Sequence, residues 1–191
     1  MINTSYIIDD RKLFIYEMAL RDAMASATRR NRLYKKGITN EEYRKAYNEV
    51  YDLWPSLLYD AANEYIEHEG MINVDFIVRQ MINIKNKMSH IENTIFKLSH
   101  AQKSLSVFLK YLWCYGVIVE PPICPIDAKV LEVAKQQDSS LKKKIDIWTN
   151  LDDAIIYKDI LYSLNKYANS KNKTIVKWEL IEFNNNKDKE L

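Results

Sequence analysis

The sequence predicts an all-α fold: a compact multi-helix globular domain, either one body or two small helical lobes with a cleft between them. Three observations carry that expectation. Apolar residues recur at helical spacing along most of the chain, and nothing in its middle alternates like an amphipathic strand. Only 3 glycines and 4 prolines interrupt 191 residues, which suits helices with short connections. Capping residues such as Thr39, Asn73 and Asp127 stand directly ahead of apolar-periodic runs. The length suffices for a proper core, and the 47% hydrophobic and 28% charged contents are those of a soluble globular protein. No shift of composition divides the chain, so residues 1–183 are expected to form one helical domain and 184–191 a disordered tail.

The run Ser5 to Ile8 reads as a brief extended segment. From Asp9 or Asp10, the residues Leu13, Tyr16, Met18, Leu20, Ala23, Met24 and Ala27 predict a long helix with its acidic residues at the favourable end. It gives way to Thr28-Arg29-Arg30-Asn31-Arg32-Leu33-Tyr34-Lys35-Lys36, in which five of nine residues are basic, and then to Gly37. These cations read either as a solvated helix end or as a patch that positions a phosphate backbone without reading sequence.

Thr39 and Glu42 form a capping box. The helix behind it carries Tyr43, Ala46, Tyr47, Val50, Tyr51 and Trp54 on one side and is expected to break near Pro55, with a further helix running to Gly70. The aromatic stripe reads chiefly as core, and otherwise as a stacking surface for a nucleobase. Asn73 caps Val74-Asp75-Phe76-Ile77 and the rest of a helix through Met88; a short helix or turn from Ile91 to Ser99 follows.

The next stretch, Ser99 to Val130, is the least explicable as plain packing. Leu105, Phe108, Leu109 and Leu112 form one apolar stripe, and Lys103, Val107, Lys110, Tyr111 and Cys114 form a second, so this helix is covered on more than one side. Lys103 is read in the first turn. There the positive end of the helix dipole and partial desolvation both disfavour an ammonium and would expose a nucleophilic amine. Beyond Gly116 and the stiff Pro121-Pro122, the triplet Pro125-Ile126-Asp127 opens a helix through Val130, Leu131 and Ala134, which makes Asp127 an N-cap.

Asp138 to Trp148, which includes Lys142, Lys143 and Lys144, reads as a polar, basic loop with one short helical turn. Asp152 and Asp153 then open a helix with Ile155, Ile156, Ile160, Leu161 and Leu164 on its apolar side, and are read as matching that helix's dipole. Thr174 to Phe183 is a last helix or an edge strand that docks through Ile175, Trp178 and Phe183.

Composition excludes several functions. No apolar run is long enough for a bilayer and the N-terminus lacks a basic region followed by an apolar stretch, so a cytoplasmic protein without a membrane partner is expected. Cys114 and Cys124 read as reduced core thiols, and His68, His90 and His100 have no metal-type spacing; neither a metal nor a cofactor is expected. The net charge of +2 does not by itself argue for nucleic acid.

The segments Ala101-Gln102-Lys103-Ser104-Leu105 and Pro125-Ile126-Asp127-Ala128-Lys129-Val130 together resemble the catalytic segment of the helix-hairpin-helix DNA glycosylase superfamily, most of all its archaeal 8-oxoguanine glycosylase branch. The resemblance covers about a sixth of the chain. It implies a lysine, Lys103, that attacks the anomeric carbon of a damaged nucleotide, and an aspartate, Asp127, that assists. The Leu-Pro-Gly-Val-Gly hairpin common in that superfamily is replaced by Phe96-Lys97-Leu98-Ser99-His100, with no glycine between Gly70 and Gly116. The loop between lysine and aspartate is also longer than is usual there. The implied partner is duplex DNA with a modified base, its backbone held by helix ends together with Arg29, Arg30, Arg32 or Lys142, Lys143 and Lys144. Two other readings use the same residues: a helical module that binds DNA or protein without catalysis, in which Lys103 snorkels and Asp127 only caps, and a purely structural or inhibitory interaction protein.

Overall fold

A computed structural model describes residues 10–68 and 73–187. The described residues hold eight α-helices and no strand. They are α1 (Asp10–Thr28), α2 (Asn40–Glu67), α3 (Val74–Met88), α4 (Leu98–Cys114), α5 (Ala128–Gln137), α6 (Leu141–Lys144), α7 (Ala154–Ser170) and α8 (Ile175–Lys187). A 3-10 turn at Trp148–Asn150 lies between α6 and α7. The extended run at Ser5–Ile8, the helix start at Asp9 and the helix end at Gly70 fall outside the described residues.

The centre of the molecule is α4. Every residue from Leu98 to Lys110 is buried, because α1, α2 and α3 pack on it together with the 3-10 turn. One continuous apolar cluster runs from Tyr16 of α1 to Trp178 of α8 and draws on every helix. α5 packs on α7, and α7 on α8.

Local chemistry fixes most of the helix starts. Thr39 and Glu42 form the reciprocal capping box, with Thr39 N–H donating to Glu42 Oε2 at 2.7 Å and Glu42 N–H to Thr39 Oγ1 at 3.2 Å. Asn73 accepts from Phe76 N–H at 2.9 Å, and Asp153 accepts from Ile155 and Ile156 at the start of α7. Gly37, at φ +76°, supplies the left-handed turn between the basic segment and α2.

Several expectations are corrected. α2 does not break at Pro55 but runs through it. A proline inside a helix costs about 3 kcal/mol, and burial of Trp54, Leu57 and Leu58, each side chain contributing about 1.5–3 kcal/mol, offsets that cost. The aromatic stripe of α2 is not a core face: Trp54 is fully buried, whereas Tyr43, Tyr47 and Tyr51 are 42%, 38% and 51% exposed. Ile155, expected on the apolar side of α7, is exposed; the buried face there is Tyr157, Ile160, Leu161 and Leu164. Cys114 is exposed at the end of α4, and only Cys124 is a core thiol. The last segment is a helix that continues to Lys187, into the stretch expected to be a disordered tail; residues 188–191 lie outside the described residues. Ile175 and Trp178 dock it, and the side chain of Phe183 is likewise outside them.

Candidate active site

The site is assembled by two helix starts facing each other, the second turn of α4 and the N-cap of α5. Because α4 begins at Leu98, Lys103 belongs to its second turn and not its first, and it faces a carboxylate rather than the bare end of the helix dipole. Lys103 Nζ lies 3.4 Å from Asp127 Oδ2. The same Nζ sits 5.9 Å from the centre of the Trp148 ring, which closes the amine in from the side of the 3-10 turn. The Lys103 side chain is 10% exposed and that of Asp127 34%, so the carboxylate is the more open of the two groups and the amine the more sheltered.

Asp127 has two tasks. Oδ1 accepts the Val130 N–H at 3.0 Å and caps α5, which leaves Oδ2 turned towards the lysine. Its backbone position is set by Gln102, one residue before the lysine. Gln102 Nε2 donates to Ile126 C=O at 2.9 Å, and Ile126 N–H donates to Gln102 Oε1 at 3.2 Å, both buried.

The front of α4 is held by distant parts of the chain. Leu98 N–H donates to Asp152 Oδ1 at 2.8 Å and Ser99 N–H to Leu151 C=O at 2.8 Å. Asp152 therefore caps α4, not the helix it precedes in sequence, and also pairs with Lys85 at 2.8 Å. Ser99 Oγ accepts from Asn31 Nδ2 at 2.9 Å and donates to Thr149 C=O at 3.2 Å. The first N–H groups of α4 are thus occupied within the chain, in the place where a glycine hairpin would offer them to phosphate.

A second lysine follows one heptad along the same face of α4. Lys110 Nζ binds both carboxylate oxygens of Glu179, at 3.0 and 2.9 Å, with side chains only 10% and 4% exposed. Burial pushes the Glu179 carboxyl up, and Lys110 opposes that shift. Cys124 is wholly buried, and burial pushes its thiol well above the usual range, which disfavours the thiolate there.

Of the expected backbone-binding residues, Arg29, Arg30 and Arg32 are exposed, and they flank Asn31, whose bond to Ser99 pins this segment to the first turn of α4. Ser99 precedes Lys103 by one helical turn, so this segment is anchored to α4 one turn ahead of the lysine. Lys142, Lys143 and Lys144 are exposed on α6, but Lys144 is engaged by Asp159 at 2.6 Å, so only its two neighbours remain without an ion pair among the described residues.

No family model, curated protein or solved structure matches this chain. What the site can do is therefore read from its own side chains. A primary amine in hydrogen-bond contact with a carboxylate, half sheltered by an aromatic ring, is an arrangement that can attack an electrophilic carbon while the carboxylate takes the proton. The Gln102 clamp, the Trp148 ring and the Lys110–Glu179 pair were not assigned roles from sequence. A signal for the last was present, since Lys110 and Glu179 each interrupt an otherwise apolar run.

Proposed function

We propose that the protein is a DNA glycosylase with associated lyase activity, acting on a damaged or modified base through a Schiff base on Lys103. The observation that carries this reading is the 3.4 Å approach of Lys103 Nζ to Asp127 Oδ2, between the two segments that resemble the superfamily's catalytic segment. Such a pair is brought together from positions 24 residues apart, by two helix starts and a side-chain clamp.

A base stacked inside a duplex is unreachable, so the nucleotide is first rotated out of the helix. Asp127 takes a proton from the Lys103 ammonium, and the free amine attacks the anomeric carbon. The new C–N bond forms as the glycosidic bond breaks, with its electron pair leaving on the base, which is then protonated. Asp127 stabilises the positive charge that develops on the sugar. Opening of the sugar ring gives a protonated imine, and loss of the adjacent proton expels the 3′ phosphate. Arg29, Arg30 and Arg32, with Lys142 and Lys143, hold the DNA backbone through phosphate contacts. The activity belongs in the cytoplasm, where the unbonded Cys114 and Cys124 stay reduced.

One observation favours a second reading, a non-catalytic helical module that binds DNA or protein. The first N–H groups of α4 are spent on Asp152 and Leu151, so the phosphate grip of the hairpin is absent at this point.

Borohydride trapping decides between them. The protein is incubated with duplexes carrying abasic, uracil or 8-oxoguanine sites and reduced. A covalent protein–DNA adduct that disappears in Lys103→Ala is the expected result. DNA binding with no adduct on any duplex overturns the catalytic reading in favour of the module.

A further inference from the structure

The exposed tyrosines of α2 are not used by the chemistry above. Tyr34, from the basic segment, packs edge-on against Tyr43 with ring centres 4.9 Å apart. Tyr43 meets Tyr47 at 6.0 Å, and Tyr47 stacks on Tyr51 at 4.2 Å and 28°. Four rings thus form a continuous row, three of them substantially open to solvent. A contiguous aromatic surface of this kind is unusual on a monomer and marks a place of contact.

The charges beside the row indicate what touches it. Arg32, Lys35 and Lys36 flank Tyr34 in sequence, are exposed, and make no ion pair with any described residue. This cationic stretch is held in place, not loose. Lys35 N–H donates to Asn93 C=O at 2.9 Å, and Ile95 N–H to Leu33 C=O at 2.7 Å. At about 3.6 residues per turn, Arg44 falls beside the tyrosines while Glu49 and Asp52 fall towards the far side of α2. Glu42 is turned back onto Thr39, and Glu92 is engaged by Lys45 at 3.3 Å.

We propose that this row of tyrosines and its flanking cations bind single-stranded DNA, with bases on the open ring faces and phosphates on Arg32, Lys35 and Lys36. A duplex hides its base faces in its own stack and offers a ring nothing to lie on, whereas a single strand presents both faces and phosphates together. The choice of DNA over RNA rests on the glycosylase reading. The stacking surface itself does not, since Tyr34, Tyr43, Tyr47 and Tyr51 take no part in the Lys103 chemistry and only Arg32 is shared with the backbone contacts proposed above.

The test is fluorescence anisotropy of a short labelled oligo(dT) titrated with the full chain near physiological salt, with circular dichroism to check that each variant folds. Tyr47→Ala combined with Tyr51→Ala is expected to weaken binding about tenfold or more, while the corresponding pair of Phe variants, which keep the rings, binds as the unaltered protein does. Lys35→Ala with Lys36→Ala should weaken binding and flatten its salt dependence. Tyrosine-dependent binding of oligo(dT) together with no borohydride adduct on any duplex would end the glycosylase reading and leave this stacking surface standing. The proposal is overturned if the Ala pair binds oligo(dT) at full strength, if a matched duplex is preferred, or if no oligonucleotide binds. Preference for oligo(U) overturns the assignment to DNA.

Discussion

Gln102 and Ile126 exchange two hydrogen bonds, side-chain amide to backbone amide, at 2.9 and 3.2 Å in the interior of the protein. An amide side chain is matched to this task because it is both donor and acceptor. The clamp ties the residue before Lys103 to the residue before Asp127, so it sets the separation of the two groups that face each other.

Gln102→Ala should therefore act at a distance from the chemistry it affects. Leaving the buried N–H and C=O of Ile126 unpaired costs about 1–3 kcal/mol of stability, read in urea melts. In single-turnover trapping, the rate of adduct formation should fall while affinity for an abasic duplex changes little. An equal loss in both would mean that the clamp serves folding alone.

Asp127 separates its two roles by substitution. Asn still accepts the Val130 N–H but gives up the ion pair with the largely buried Lys103, so Asp127→Asn should cost about 1–2 kcal/mol of stability and slow trapping by about 10²–10⁴-fold through loss of proton transfer. Asp127→Ala should show the same kinetic loss with a further cost of about 1 kcal/mol in stability. A fully active Asn variant would leave the carboxylate as a cap only.

His100 gives the fold a dependence on pH. Burial pushes its imidazole down from 6.5 to about 4, and Nδ1 accepts the Lys97 N–H at 3.0 Å. As pH falls below about 6.5 the unfolded chain binds a proton that the folded chain refuses until about 4, so stability drops across that window by about 3 kcal/mol in all. Above it this group contributes no pH dependence. His100→Gln, which keeps an acceptor but does not titrate there, should flatten the slope of unfolding free energy between those limits.

The Lys110–Glu179 pair should behave as a buried pair does. Glu179→Ala takes the bidentate carboxylate from Lys110 and should cost about 3–5 kcal/mol, whereas Lys110→Met with Glu179→Leu should come close to neutral. Thermal melts of the three proteins check this. A double variant as unstable as the single one would show that the charges are needed for packing α8 onto α4.

Legibility in the sequence followed the range of the interactions. The caps at Thr39, Asn73 and Asp127 are readable because each bonds to a residue three positions away. The buried stripe of α4 and the helical class were readable from periodicity. Pro55 misled because the local cost of proline is visible in sequence, whereas the burial of Trp54 and Leu58 that outweighs it is tertiary. The tyrosines of α2 misled because spacing places them on a face without saying whether anything covers it. The resemblance named Lys103 and Asp127, but Asp152 was assigned to the wrong helix, since its bond to Leu98 spans 54 residues.

That last bond limits how the protein can be cut. A piece from Lys97 to Gln137 contains the amine, the carboxylate and the glutamine between them, yet lacks Asn31, Leu151 and Asp152, which grip its leading turn. Grafted elsewhere, such a piece would carry the reactive groups with a frayed front end. The Lys103–Asp127 pair thus depends on chain from Asn31 to Asp152, and proteolysis near Trp148 should disturb it even though both groups survive on one fragment.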